Sequence, residues 1–564
     1  METRTCEITS QSFAITAEEA AAYEYFDIPV PAVCPEERYR RQLAFRNEEQ
    51  FFWRKCDKTG AKLYSIFPSM TAFPVVSAEY WWGGELDALS YGKPFDFKRL
   101  FVEQLLDIWW SVPRPAVRVQ QVNQCTAVHD VARAKNSYFV FSGTDIDQCC
   151  YSVGVWNSKE VIDCYFVSDS ERCYECVHCF GCRNLRWSEF CRNCTDSWFL
   201  SNCEDCRYCL FCTNLKGKEY YIFNRKVSPE EFDRIVREWT FTARARVEAA
   251  TEEFETFLAD QPFPHMIGDE PEENSGNYLY QCRSAFDSFE CVDAANVVHC
   301  HWLRGARDCL DGFGFGDGLS RSIQFVNVGS GAEGVINCIE CWNNVRDLVY
   351  CSYCEESSDL FACVGLRGKQ YCIFNTQYSK DEYFELRARI VAHLRERSIW
   401  GKFFPANFSG FAYNLSSANF YMPLSKVPAK MLGFRWDDGD EALKPSLLMG
   451  GVEDSGGDRF AEVPQRTEAL SAQHVSELYL CELSGKPYRL AAQEIALYQA
   501  LGVAPPGRCF EQRHQARIKR LSPRRLRSDK SPNSGRSFRT AFPEQWRRPV
   551  AFHRDWERSV RPLR

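Results

Sequence analysis

Cysteine recurs at every third residue in two short stretches, CYECVHCFGC (173–182) and CEDCRYCLFC (203–212). The spacing is not confined to them. Fourteen cysteines lie between Cys125 and Cys212, and thirteen share one phase of a three-residue period; only Cys150 is out of step. Nine-residue steps recur at Cys164, Cys173, Cys182 and Cys191, then at Cys282, Cys291, Cys300 and Cys309, and again at Cys354, Cys363 and Cys372. A helix face needs spacings of three and four in alternation. A flat strand throws residues three apart to opposite faces. What remains is a coiled backbone with short straight segments and regular corners, in which equivalent positions stack. The expected fold is therefore mixed and β-rich, with two cysteine-rich β-solenoid (parallel β-helix-like) domains. A coil of about 18 residues would be two nine-residue steps, with SYFVF, DCYFV and DSWFL as inward-facing strands and Asn and Asp at the corners.

The clustered thiols allow three readings. They can be a ladder of buried, small apolar side chains. They can be paired thiolates of a structural zinc site, with Cys173, Cys176, Cys179, Cys182, Cys203, Cys206, Cys209 and Cys212 as the candidate ligands. They can hold an iron–sulfur cluster, although the bacterial C-x2-C-x2-C-x3-C-P run is not matched: the last gap is two, and no proline follows Cys182 or Cys212. Zinc is thus a possible cofactor and an iron–sulfur cluster a weaker one.

The chain also repeats itself. Residues 6–38 match 481–513 without a gap, with Cys6 over Cys481, Glu19 over Glu494, Tyr23 over Tyr498, Cys34 over Cys509 and Arg38 over Arg513. CTNLKGKEYYIFN (212–224) matches CVGLRGKQYCIFN (363–375) at an offset of 151, and each copy runs into a Ser-x-x-Glu helix start, Ser228 to Glu231 and Ser379 to Glu382. These matches place helices at 228–259 and 379–397. They divide the chain into an end module (1–55), a connecting α+β segment (56–122), solenoid 1 (123–226), a helix and linker (227–276), solenoid 2 (277–376), a helix (377–400), an irregular segment and linker (401–478, with a linker at 437–458), and a second end module with a basic tail (479–564). The tail resembles 56–82, with Ser528 in place of Cys56.

The end modules, C-x-x-[ST] … C-x-E-x-R, resemble a probable zinc-ribbon domain in which each end is Cys-x-x-Cys. Thr9, Glu37, Ser484 and Gln512 stand where the second cysteines belong. Half the ligands are missing, so the resemblance implies a degenerate zinc ribbon. RNEEQFFWRKCDKTGAKLYSIF, SAEYWWGGELDALSYGKPFDF and FFPANFSGFAYNLSSANFYMPLSK, together with the cysteine-rich segments, are similar to an uncharacterised cysteine-rich bacterial family. That resemblance covers nearly the whole chain and implies an architecture without an activity.

From Arg508 onward the chain carries 17 Lys and Arg against 5 Asp and Glu, on a body that is otherwise acidic. This suggests an anionic partner. Arg38, Arg40, Arg41, Arg513, Arg517, Lys519, Arg520, Arg524, Arg525 and Arg527 are the candidate phosphate contacts of a nucleic-acid-binding alternative. A protein partner on the repetitive surface is the main expectation. GFGFGDG (312–318) lacks the spacing of a phosphate loop. In His299-Cys300-His301 the histidines share a face and Cys300 belongs to the ladder. No G-x-S-x-G, H-E-x-x-H or P-loop pattern occurs. No apolar run reaches membrane-spanning length, and METRTCEITS is not a secretory leader. The expectation is a cytoplasmic, non-enzymatic structural or binding protein.

Overall fold

The computed structural model describes residues 2–439, 460–475, 477–531 and 534–563; most of the linker expected at 437–458 lies outside them. The chain is mixed α/β and strand-rich. Two long sheets dominate, and among the described residues one has twelve strands and the other nine. Both are parallel except for a closing antiparallel pair at each C-terminal end. No described helix is long and apolar enough to cross a membrane.

The two sheets share one local rule. From Gln121 to Phe223 every third residue is left-handed, without a break. Few of these residues are glycine, and an L-residue costs roughly 1–2 kcal/mol in that region. Two features offset the cost. Side-chain amides at the left-handed positions form ladders, such as Asn193 to Asp205 at 3.0 Å and Asn202 to Asn214 at 2.8 Å. The residue after each left-handed one points into a common interior, filled by Val128, Val140, Cys149, Cys164, Leu185 and the later cysteines. All thirteen in-phase cysteines occupy this position. Cys150 does not, and it packs in the separate core outside.

Neighbouring strands are offset by twelve residues: Val153 pairs with Tyr165, Thr195 with Arg207, and Arg207 with Glu219. The expected 18-residue step is therefore wrong. Residues twelve apart lie side by side, as where the Cys176 amide donates to the Cys164 sulfur at 3.3 Å. Residues nine apart are joined differently, by a thiol facing a carbonyl: Cys164 to the Cys173 carbonyl and Cys173 to the Cys182 carbonyl. The aromatic segments are also reversed from expectation. In SYFVF Ser137 and Val140 hold the interior phase, while Tyr138, Phe139 and Phe141 face outward into the large core shared with the end modules.

The second sheet follows the same offset, Gly276 with Ser288 and Phe289 with His301, until the step lengthens to thirteen, Ile323 with Ile336 and Ile336 with Val349. It returns to twelve at Arg346 with Ser358. The left-handed phase slips three times here, so the two sheets match at an offset of 151 beyond this region and 148 before it.

The helix expected at 228–259 is two, Pro229–Trp239 and Arg244–Ala259, because Thr240 is left-handed between them. The helix Lys380–Glu396 has the full Ser379–Glu382 capping box. The C-terminal tail is a folded copy, but Ser531, not Ser528, stands for Cys56: each follows a hairpin strand and accepts the amide of its turn glycine, Gly60 or Gly535, at 2.8 Å. The match of 475 residues thus extends through the tail, with Val75 and Val550 pairing the segments that precede the two sheets, at Arg114 and Phe263.

Candidate functional site

The eight cysteines singled out as metal ligands are all buried in the interior column. They touch one another: Cys176, Cys182 and Cys191 lie within hydrogen-bonding reach of Cys179, and Cys194, Cys203 and Cys209 within reach of Cys206. Each also faces a backbone carbonyl two residues back. Among the described residues, no group of three or more His, Cys, Asp or Glu is placed to hold a metal ion. Within the eight, burial pushes the Cys176, Cys182 and Cys203 thiols up, whereas neighbouring thiols hold Cys206 down and, against burial, Cys179 too. In the end modules the remaining pairs are close. The Cys34 amide donates to the Cys6 sulfur at 3.3 Å, and Thr9 Oγ1 lies 3.8 Å from Cys34 Sγ, as Ser484 Oγ does from Cys509 Sγ. Glu37, at the position of a missing ligand, instead pairs with Arg40 and Arg41.

Most of the arginines singled out for phosphate contact are engaged inside the protein. Arg38 pairs with Glu19 and Asp311, Arg513 with Asp163, and Arg517 with Asp163 and Glu175. Arg520 pairs with Glu189, Arg524 with Glu290, and Arg527 with Asp529. Only Lys519 and Arg525 of that set are well exposed.

These ion pairs expose a crossed arrangement. The N-terminal module docks on the second sheet, where Glu19, Tyr23 and Arg38 converge with Asp311. The C-terminal module docks on the first sheet, where Glu494, Tyr498 and Arg513 converge with Asp163. Glu19, Tyr23 and Arg38 match Glu494, Tyr498 and Arg513 at the offset of 475, and Asp163 matches Asp311 at 148. Each buried carboxylate satisfies a guanidinium that would otherwise be costly to bury.

The two docking sites differ in one place. On the first sheet, Phe510 packs against Phe139 and Tyr151 with ring centroids at 4.7 and 5.5 Å, and His514 stacks between Phe510 and Phe420. On the second sheet the matching residues are Pro35, Asp287 and His299, with Tyr39 in the place of His514. Two rings are lost and a third shrinks from phenol to imidazole, and a cavity of about 980 Å³ opens. Its floor is a stack of Phe289, His301 and Tyr39, with centroids at 5.5 and 3.9 Å. His301 is 5% exposed, and its Nδ1 has no hydrogen-bond partner among the described residues. Burial, aided by His299, pushes His301 down to about 3, so the ring is neutral. His299 is the opposite case: against burial, its hydrogen bond to Glu19 raises it. Glu290 is held by His178 at 3.1 Å and by Arg524, which also reaches Tyr39 and Tyr165. Lys519, Arg525 and Arg539 line the same cavity.

No family model matches this chain, and no curated protein matches it. The sequence singled out His299 and His301 but gave no reason to join them to Tyr39 or Arg524. The available signal was the substitution of Phe510 by Pro35 within an otherwise matched repeat.

Proposed function

We propose that this chain is a non-enzymatic binding protein whose ligand occupies the cavity between the N-terminal module and the second sheet. Its scaffold is read as two four-cornered β-solenoids, residues 119–223 and 276–375, flanked by degenerate zinc-ribbon-like modules. The twelve-residue strand offset and the left-handed residue at every third position support the solenoid reading, because together they place four corners in each step. The thiols act as small apolar fillers of the solenoid interior, which suits a reducing, cytoplasmic location.

One observation carries the binding reading: the same docking device occurs twice and is packed shut with rings in one copy only. A scaffold with no ligand has no use for the difference, whereas a pocket of several hundred Å³ with apolar walls and a few convergent polar groups is the usual form of a small-molecule site. The stacked Phe289, His301 and Tyr39 present flat faces, and the unpartnered His301 Nδ1 favours a ligand with a hydrogen-bonding group. At the mouth Arg539 is paired with Asp287 and Arg525 with Glu36, and Lys519, without an ion pair among the described residues, favours an anionic ligand. The test is a titration with the anionic aromatic dye 1-anilinonaphthalene-8-sulfonate. One saturable equivalent, weakened at least tenfold by His301→Ala and by Tyr39→Ala, supports the reading. Binding that does not saturate, or that neither substitution changes, counts against it.

A further inference from the structure

A second recess, of about 310 Å³, lies between the two sheets. Its walls include Trp156, Trp302, Phe315 and Trp342, and Arg304 lines it with them. Trp156 and Trp302 touch at 5.8 Å between centroids, and Phe315 and Trp342 at 4.7 Å. The recess sits where the regular step breaks. Phe315 is left-handed, as are Gly314, Gly316 and Gly318 around it, and the lengthened steps follow. The glycines are required: a Cβ on Gly316 would lie 2.1 Å from the Arg304 carbonyl, and one on Gly329 would lie 2.5 Å from the Phe315 ring. GFGFGDG thus brings Phe315 to this wall.

Arg304 is the anomaly. Its guanidinium lies 4.4 Å above the Trp156 ring. Its Nη1 is buried with no hydrogen-bond partner among the described residues. Arg304 as a whole is half-buried, and the deeply buried arginines differ from it. Arg38, Arg46, Arg118, Arg513 and Arg517 each hold a carboxylate within 4 Å, while Arg114 donates to carbonyls and Arg548 to hydroxyls. Asp169 and Asp317 act on Arg304 only from beyond contact, and burial pushes its guanidinium down. Beside it, Trp302 is 4% exposed and its Nε1 has no partner either. One buried guanidinium nitrogen and one buried indole donor, both unanswered, are costly unless something outside the chain answers them.

We propose that this recess binds a small planar aromatic carboxylate. Arg304 takes the carboxylate, whose two oxygens suit its fork of donors. Trp302 Nε1 donates to the same ligand, and the rings cover its flat face. Of the three guanidiniums that line the recess, Arg118 is paired with Glu340 and Glu355 and Arg133 with Asp145, so the four aromatic walls and the one guanidinium without an ion pair favour a flat monoanion over inorganic phosphate.

The test is isothermal titration of the full chain with 2-naphthoate and with its uncharged counterpart, 2-naphthamide. The expected result is saturable one-to-one binding of naphthoate, with naphthamide at least tenfold weaker. Arg304→Met weakens naphthoate at least tenfold and leaves the melting temperature of the free protein equal or higher, because it removes a half-buried charge that has no ion pair among the described residues. Trp302→Phe keeps the ring, loses the donor, and weakens binding about fivefold. Pro35→Phe, in the other cavity, leaves naphthoate affinity unchanged. The proposal is overturned if naphthoate does not saturate, if naphthamide binds as tightly, if Arg304→Met binds normally, or if Pro35→Phe abolishes binding.

Discussion

Pro35 and Phe510 hold the same position in the two end modules, one residue after a cysteine that begins a helix, and only Phe510 fills the space in front of it. Together with Asp287 in place of Phe139 and His299 in place of Tyr151, that difference in ring volume separates a closed docking site from an open one. The buried Glu, Tyr and Arg that converge on a sheet Asp are shared, which makes the two copies controls for one another.

The crossed docking rests on two carboxylates. Asp163 lies 3.0 Å from Arg513 and 3.1 Å from Arg517, all three buried. Asp163→Asn removes the carboxylate that two buried guanidiniums share, leaving Arg517 with Glu175 at 2.9 Å and Arg513 with Glu494 only at 3.9 Å, and a loss of about 3 kcal/mol in unfolding free energy is expected. Asp311→Asn costs less, because Arg38 keeps Glu19 at 2.8 Å. Denaturant unfolding of both variants measures this; losses below about 1 kcal/mol in each would mean that the modules are held by apolar packing alone.

Acid stability depends on neutral histidines. Burial, with help from Arg46 at His129 and from His299 at His301, pushes His129, His178 and His301 down to about 3. In the unfolded chain each titrates near its ordinary value of about 6.5. Between those values the unfolded state binds protons that the folded state refuses, so stability falls as pH falls from about 6.5 towards 3. The slope is up to about 1.4 kcal/mol per pH unit for each histidine. His301→Phe keeps the ring stack and removes one of the three. Unfolding curves from pH 7 to 5 are expected to show a shallower slope for this variant, and an unchanged slope would assign the effect elsewhere.

Of the 29 thiols, all but Cys125 are buried. Ellman's reagent is expected to titrate about one thiol quickly in the native protein and all 29 in guanidinium. Treatment with a chelator is expected to leave the melting temperature unchanged. Rapid reaction of four or more thiols, or a fall in melting temperature with the chelator, would mean that the interior column is open or metal-bound.

The corners set a different limit. Asn202 is left-handed at φ 55° and donates to Asn214 at 2.8 Å. A β-branched residue there meets its own carbonyl and loses the ladder. Asn202→Val is expected to cost about 2–3 kcal/mol and Asn202→Gly clearly less; equal costs would locate the effect in the side-chain ladder alone.

Much of this organisation was legible in the sequence, for reasons that particular residues make clear. The phase of the cysteines is a direct image of the interior, because every in-phase position from Val119 to Tyr221 shares one environment, and Cys150 fell outside it as its phase required. The step length was not legible. Nine-residue spacings dominate because cysteine alternates with valine, leucine and serine at the other interior positions, so the true offset of twelve is hidden by changes of residue type. The repeats at the ends were visible, but not that Arg38 and Arg513 would turn inward: a charge run in sequence carries no sign of the carboxylate that will face it. The cavity was legible only as a mismatch, proline against phenylalanine, and a mismatch acquires meaning once its neighbours Asp287 and Phe139 are known to be equivalent.

The most direct measurement is dye binding by Pro35→Phe, a variant that writes the closed copy into the open one. The variant is expected to fold with an equal or higher melting temperature and to bind 1-anilinonaphthalene-8-sulfonate at least tenfold more weakly than the unmodified chain. A folded Pro35→Phe protein that binds the dye with undiminished affinity and stoichiometry would contradict the assignment of the cavity as the binding site.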